Sequence, residues 1–467
     1  MILGSAANPL RVAVIGSGPS GFYAADFYLK QTELVIYVDM FDRLPTPYGL
    51  VRGGVAPDHA KIKTVTKQYD KIAANPRFRF FGTVELGKAI DHADLAAHYH
   101  QIVYATGAQT DRAMGIPGEA LSGSYPATEF VGWYNAHPDY RDLQFDLTQE
   151  RAVVVGNGNV AMDVARILAS SYEELVKTDI ADYALEALKN SRIREIYVVG
   201  RRGPLQAAFT NPEIKELGEL QECDLIIPPE EVQLDPLSQA ALATAEKTAR
   251  VNVEIMQKYA QQAPSGKKKQ IIFRFLASPT ELVGTEHVEA VKLVKNVLTQ
   301  NDDGSLRPKA TDQTEILPCG LIFRSIGYKG VALPDVPFDA KGGVIPNQKG
   351  RVVDAQQCVI NGEYVAGWIK RGPSGIIGTN RPDSVETVES ALADMRDGKT
   401  LTPTNTSADA IPALLDSRGV DYTTYADWQA LDQAEIERGA AQGRPRVKFS
   451  RISEMLDVIR EKRAIKS

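Results

Sequence analysis

Three glycines, Gly16, Gly18 and Gly21, directly follow the short apolar run Val12 to Ile15. At that spacing each glycine has a task. The first makes a tight turn out of a strand, the second lets the backbone approach a pyrophosphate, and the third lets the next helix pack on the strand. The helix start then faces the diphosphate with free N–H groups and a partial positive charge. Asp42 closes the next apolar run, 26 residues after Gly16. A carboxylate there can accept from a ribose hydroxyl. Asp39, inside the strand pattern, is a second candidate. The same pattern returns at Arg151 to Ala161, RAVVVGNGNVA, with Gly156 and Gly158 in place and Ala161 in the third position. The copies lie 140 residues apart, too far for two halves of one fold and right for two nucleotide-binding domains.

Other groups refine the chemistry. The strand-like run Arg194 to Val199 ends in GRRGP. An acid at that strand end favours NAD, whereas arginines suit the 2′-phosphate of NADP through bidentate, charge-assisted contacts. Arg201 and Arg202 therefore carry the strongest NADP feature of the chain. Asp58 and His59 are a candidate proton-handling pair, with a structural histidine as the other reading. Near the C-terminal end, Tyr364 to Asn380 (YVAGWIKRGPSGIIGTN) runs from a strand through Trp368, Lys370 and Arg371 into a Gly-Pro-Ser-Gly turn before Ile376. The helix beginning there offers free N–H groups to a ligand oxygen. The three cysteines, Cys223, Cys319 and Cys358, make no C-x-x-C and no iron–sulfur or zinc spacing, so electron chemistry must run through bound organic cofactors.

The elements that position these groups follow from periodicity. Phe22 to Leu29 reads as the first helix and Glu33 to Phe41 as the second strand. Leu44 to His59, with three prolines and three glycines among apolar residues, reads as a rigid, buried loop suited to walling a planar ligand. Ala60 to Ala74 reads as one basic amphipathic helix, Phe78 to Leu86 and Gln101 to Thr106 as strands, and Met114 to Pro126 as loop. Val160 to Ala169 is the helix of the second unit, with a helical insertion over Tyr172 to Leu188. Helices are expected over Asn211 to Leu220 and Ala240 to Gln262, a charged turn at Lys267 to Lys269, and strands at Ile271 to Leu276, Val288 to Leu298 and Leu321 to Ile326. Asp383 to Asp397 reads as helix, Leu401 to Ser407 as a linker, and the remainder as a helical C-terminal extension.

Composition bounds the class. The 467 residues are 43% hydrophobic and 24% charged, ordinary for a globular enzyme with a sizeable core. A net charge of −6 gives no global attraction to nucleic acid or an anionic membrane. Met1 to Leu10 lacks the basic and apolar regions of a signal peptide and the Arg/Ser-rich character of a transit peptide, and no apolar run is long enough to span a bilayer. The expected location is cytoplasmic.

GSGPSG, LPTPYGLVRGGVAPDH, GNGNVAMDVARIL, VGRRGPLQAAFT and GWIKRGPSGIIGTN together resemble the adrenodoxin-reductase-like NADPH–ferredoxin reductases, most of all the mycobacterial type, over roughly residues 10 to 395. The resemblance implies an α/β fold of two Rossmann-like dinucleotide-binding domains, the NADP domain inserted into the FAD domain. The expected boundaries are 1–108 and 336–400 for the FAD domain, 109–335 for the NADP domain and 401–467 for the C-terminal extension. It implies an FAD site of Ser20, Asp42, Leu50, Leu86, Trp368 and Gly375 to Ile377, with Ile376 between, beside the glycine turn. It implies NADP contacts at Asn157, Gly158, Asn159, Val160, Arg201, Arg202, Glu213 and Gly375. His59 and Glu216 match the family's polar pair near the flavin and nicotinamide and are the expected catalytic residues. Asp42 stands where many members carry glutamate, and Ser374 where many carry threonine; neither change removes the chemistry.

The implied activity is hydride transfer from NADPH to FAD, followed by one-electron transfers to a small acidic iron–sulfur protein, a ferredoxin. Lys61, Lys63, Lys67 and Lys71, or residues near Arg201, are candidate docking residues, and a monomer or weak dimer is expected. A flavin-dependent monooxygenase would also use two such domains, and a flavoprotein that senses the NADPH/NADP ratio without turnover is the non-catalytic alternative. A disulfide reductase is disfavoured by the missing C-x-x-C.

Overall fold

All six residues of Leu10–Ile15 are buried. A strand apolar on both faces belongs inside a parallel sheet covered on both sides. It pairs parallel with Ile36–Phe41 on one side and with Gln101–Tyr104 on the other. Phe78–Phe81 and Val359–Val365 extend the two edges, also parallel. In chain order these five strands lie 3-2-1-4-5, the arrangement of a dinucleotide-binding sheet. Arg351–Val353 and Asn347–Gln348 add an antiparallel margin and complete seven strands.

The computed structural model describes residues 2–466, and the chain divides into two units. The first holds this sheet and runs to Val55, then from His59 to Thr110 and from Tyr328 onward; the second comprises Ala56–Asp58 and Asp111–Gly327. The second unit is therefore inserted in the chain of the first. In the first unit, helices Pro19–Leu29 and Asn380–Arg396 cover one face of the sheet, burying Phe22, Tyr28, Val388 and Leu392 in a core that also takes in Trp428, Leu431, Met455 and Ile459. The last stretch, expected as an extension from 401, thus packs into the first unit's core through Tyr425–Ala440 and Ile452–Lys466. Among the described residues no helix is long and apolar enough to cross a membrane.

The second unit has a six-stranded sheet in the order Ser124–Pro126, Leu321–Arg324, Arg151–Val155, Glu195–Val199, Lys269–Arg274, Cys223–Ile226, parallel throughout. Beside it lies an antiparallel sheet of Ala277–Val283, Ala290–Gln300 and Leu306–Pro318. Only its middle strand is legible in the sequence, because Leu306–Pro318 is largely exposed and polar.

Several expected elements change. The single helix over 60–74 is two, Ala60–Lys63 and Thr66–Ala73. The hydroxyls of Thr64 and Thr66 bond back to the carbonyls of Lys61 (2.7 Å) and Lys63 (3.0 Å) at the break, the local competition that makes threonine a poor helix interior. The stretch 240–262 likewise divides into Pro236–Ala241 and Lys247–Tyr259, and 172–188 into Tyr172–Leu175 and Asp182–Lys189. The strand from Phe78 stops at Phe81, because Gly82 pairs with Thr423, N–H to O at 2.8 Å and back at 3.0 Å. Lys269 opens a strand instead of closing a turn. The loop over 44–59 is buried at Pro45–Tyr48, Val51 and Ala56–Pro57 but not throughout; it contains the short helix Leu50–Gly53, with Leu50 exposed. The expected loop 114–126 ends in the edge strand Ser124–Pro126.

Candidate functional site

The first glycine turn sits where strands one and four part at their carboxyl ends, the crevice in which open α/β sheets hold ligands. Gly16 has φ +107, and a Cβ on it would stand 2.5 Å from the Ala105 carbonyl oxygen. A Cβ on Gly21 would stand 2.2 Å from the Gly16 carbonyl oxygen. Both positions require glycine sterically. Gly18, the N-cap of Pro19–Leu29, is different: a Cβ there would meet nothing within 4 Å. The open space lies before a helix N-terminus with its unpaired N–H groups, which is a cradle that fits a diphosphate.

The Asp42 carboxylate is oriented by this turn. Its Oδ2 accepts from the Ser17 N–H at 3.0 Å and the Ser17 hydroxyl at 2.5 Å, and its Oδ1 accepts from the Leu44 N–H at 3.0 Å. A carboxylate has about four acceptor sites, so Oδ1 retains capacity for a ribose hydroxyl. Asp39, the second candidate, is buried and committed to Arg79 and Tyr99, at 2.5 and 2.7 Å from its Oδ2. Ser20 is buried, and its hydroxyl donates to Asn380 Oδ1 at 3.1 Å, tying the first helix to Asn380–Arg396.

The Trp368 segment is fastened to that same helix. The Gly367 N–H donates to Asp383 Oδ2 at 2.6 Å, while Lys370 and Arg371 lie 3.2 and 3.1 Å from the same carboxylate. Trp368 Nε1 donates to the Ser374 carbonyl at 3.1 Å, closing the Gly-Pro-Ser-Gly turn. Gly375 has φ +81, Ile376 is exposed, and its N–H is held by Thr379 Oγ1 at 3.1 Å. Ile377 starts a single 3₁₀ turn before the long helix. Leu86 is buried in the core on the sheet's other face. His59 precedes Ala60–Lys63 as its N-cap and is half-buried.

The second turn repeats the first with other neighbours. Gly156 has φ +136, and a Cβ would stand 2.1 Å from the Ser325 carbonyl oxygen. Gly158, N-cap of Asn159–Ala169, again faces open space. Ala161 is fully buried where the first copy has glycine. Asn157 Nδ2 is buried with no hydrogen-bond partner, and it lies where a Cβ on Gly200 would come within 2.9 Å. A buried amide donor left unpaired is costly, and a nucleotide oxygen would relieve it. Asn159 Oδ1 accepts from the Thr210 N–H at 2.9 Å, drawing the strand-end loop toward the turn. Val160 is the second residue of the helix.

Arg201 is exposed and Arg202 half-buried just past Glu195–Val199. Burial, and then the Arg201 charge, push the Arg202 guanidinium below its ordinary range. Two adjacent cations, one partly desolvated and lowered by the other, form a site that fits a phosphate.

Glu213 and Glu216, on Asn211–Glu219, converge on a residue the sequence reading did not single out. Arg166 is buried in Asn159–Ala169; its Nη1 lies 2.9 Å from Glu213 and 3.6 Å from Glu216, its Nη2 2.6 Å from Asp163, and its Nε 2.6 Å from Asp58. Burial opposes this charge, but Asp163, Asp58 and Glu213 outweigh it and raise Arg166 well above its usual value. Four carboxylates thus share one guanidinium. The available signal was Asp163 and Arg166, a charged i,i+3 pair in the apolar helix VAMDVARIL, since buried charge in an apolar face needs a partner.

Residues 10–205 match the pyridine nucleotide-disulphide oxidoreductase family. The NADPH-ferredoxin reductase FprA of Mycobacterium leprae is 47% identical over 96% of this chain and 98% of its own length. The mitochondrial NADPH:adrenodoxin oxidoreductase of Arabidopsis thaliana is 40% identical over 95% and 94%. Among solved structures, Mycobacterium tuberculosis FprA in complex with NADPH has a TM-score of 0.91 at 44% identity, covering 97% of this chain and all of that one, 100%. With likeness of this extent along the whole chain, the protein belongs to the adrenodoxin-reductase-like NADPH–ferredoxin reductase family.

Proposed function

We propose that the protein is an NADPH–ferredoxin reductase, holding FAD at the first glycine turn and NADP(H) at the second. The observation that carries this reading is the Arg201–Arg202 pair beside a dinucleotide turn whose middle glycine faces open space. A flavin takes up an electron pair as hydride and gives electrons up singly, which is the conversion a nicotinamide donor and an iron–sulfur acceptor require.

The protein's own residues divide the work. The N–H groups at Gly18 and Gly158 face the diphosphates, and Asp42 holds a ribose hydroxyl. Leu50, Leu86, Trp368 and the Gly375–Ile377 turn line the flavin. Asn157 and Asn159 orient the second nucleotide, and Arg201 with Arg202 takes the 2′-phosphate. Arg166 anchors Glu213 and steadies Glu216; His59 and Glu216 are the protein's proton-exchanging groups, at an imidazole nitrogen and a carboxylate oxygen. The partner is a small acidic ferredoxin attracted to basic residues, among which Lys61, Lys67 and Lys71 are exposed. The protein works in the cytoplasm as a monomer or weak dimer.

Anaerobic mixing with NADPH and then a ferredoxin is the test. Rapid bleaching of a bound flavin and its reoxidation by ferredoxin, with NADH far less effective, is the expected result. A folded protein with no bound flavin, or one that passes no electrons to ferredoxin but reacts fast with oxygen when an organic substrate is added, would overturn the reading.

A further inference from the structure

The last stretch of the chain has no part in the reading above, yet it grips the loop that lies on the first glycine turn. Tyr48 donates its N–H to the Ser17 carbonyl at 2.9 Å, and a Cβ on the adjacent Gly49 would come within 3.0 Å of Gly18 Cα. This loop is therefore one wall of the cradle. Tyr48 has φ +85, a conformation that L-residues adopt only when their surroundings enforce it.

The enforcement comes from the helix Tyr425–Ala440. The Tyr48 hydroxyl meets Asp70 Oδ1 at 2.5 Å, the Tyr425 hydroxyl at 2.7 Å and Trp428 Nε1 at 3.2 Å. The Tyr48 and Trp428 rings pack edge to face, 5.6 Å between centroids at 88°. One helical turn on, Arg52 forms a bidentate pair with Glu435 at 2.8 and 2.5 Å and lies 5.0 Å over the Trp428 ring. Glu435 is wholly buried; Arg446 approaches it at 3.4 Å and the Phe449 N–H donates to it at 2.9 Å. The Lys448 ammonium donates to the Arg52 carbonyl at 3.3 Å. Both ends of Leu50–Gly53 are thus held from residues 425–449.

We propose that Glu435, Trp428 and Tyr425 are positioning residues for the flavin, acting through Arg52 and Tyr48, so that the C-terminal helix sets how slowly FAD leaves. The proposal rests on the reading that FAD occupies the first glycine turn. A bound cofactor must displace or wait for movement of this wall to escape, and a wall fixed by buried, charge-assisted contacts moves rarely.

The test is the FAD release rate of the holoenzyme, read as the rise in flavin fluorescence after dilution, for the double variant Arg52→Gln with Glu435→Gln. Neutralising both partners avoids stranding one buried charge. Release is expected to quicken about tenfold, the effect of one charge-assisted hydrogen bond, while NADP⁺ affinity at the second turn changes less than about twofold. Tyr425→Phe, a milder loss of one hydroxyl, serves if the double variant does not fold; about threefold faster release is expected from it. Arg274→Gln with Glu315→Gln, a surface pair of the second unit, controls for general loosening and should leave FAD release unchanged. Release at the wild-type rate in folded clamp variants, or equal quickening in the control, overturns the clamp. A wild-type chain that binds no FAD overturns the cofactor reading, and the clamp with it.

Discussion

Replacing Arg201 and Arg202 together with alanine removes two positive charges, of which Arg202 is lowered first by burial and then by the Arg201 charge. Their contributions differ with burial. A half-buried guanidinium making a charge-assisted bond to phosphate contributes about 2 kcal/mol. The exposed Arg201, screened by water and salt, contributes about 0.5–1 kcal/mol. The sum, about 2.5–3 kcal/mol, corresponds to about a 100-fold loss in kcat/KM for NADPH. NADH has no 2′-phosphate, so its kcat/KM should move by less than about twofold. Flavin reduction is measured with both nucleotides at low and high ionic strength. Added salt should weaken the single variant Arg202→Ala, which keeps only the exposed cation, more steeply than Arg201→Ala, which keeps the half-buried one. Without nucleotide, the double variant should melt no lower than wild type, because it loses a repulsion and no ion pair. An unchanged preference for NADPH would refute the assignment of the phosphate to this pair.

The two kinds of glycine separate in a simple comparison. Gly18→Ala places a methyl in open space at φ −77, so the protein should melt normally and be purified with little flavin, whereas Gly21→Ala drives a methyl into a carbonyl oxygen and should lower the melting temperature outright; equal melting of the two would contradict this geometry. Burial pushes the Asp111 carboxyl up from 3.8 to about 6, against weaker lowering by Thr128. A raised folded value means stabilisation that is complete below the unfolded value and lost as pH rises through the folded one. Asp111→Asn should therefore stabilise the protein by about 2–3 kcal/mol at pH 8 and by a small fraction of that at pH 4, measured by denaturant unfolding; a gain independent of pH would refute it. Cys223 and Cys319 are buried with thiols pushed up to about 12, whereas Cys358 is exposed. Mass spectrometry after mild alkylation at pH 8 should find a single adduct, on Cys358, and modification of the other two in folded protein would count against the packing described.

What was legible beforehand is what is local. Each glycine turn is written in a strand, three small residues and a helix within about fifteen positions, and both stand where expected. Arg201 and Arg202 were legible as a basic pair just past a strand end, and they do follow Glu195–Val199, the position whose charge discriminates between nucleotides in such a unit. Helix limits were misread where local hydroxyls compete with the helix, as at Thr64 and Thr66, or where a distant segment takes over a strand's hydrogen bonds, as Thr423 does at Gly82. Leu306–Pro318 escaped notice because an exposed strand of polar residues has no apolar alternation to betray it.

The illegible part has a common physical origin. The chemistry of a dinucleotide site can be stated in a few consecutive residues, but the stiffness of that site is supplied from elsewhere. Ser20 is braced by Asn380, 360 positions away, and Arg52 by Glu435, 383 positions away. Arg166 draws Asp58 from 108 positions before it and Glu213 from 47 after it. None of these partners has a spacing that a window of sequence can register; Arg166 stands out as a charge in the apolar run VAMDVARIL, whereas Glu213, Asn380 and Glu435 are masked by polar and charged neighbours. Such residues cannot be buried alone, since an unpaired charge in the interior costs several kcal/mol. A buried-looking arginine therefore announces that a partner exists while leaving its address unstated. Arg166 within VAMDVARIL is one such announcement; Glu435, in a helix whose Trp428 and Leu431 are buried, is not. The first marks the floor beneath Glu213 and Glu216, and the second ties a C-terminal helix without chemistry of its own to the wall of the first nucleotide site.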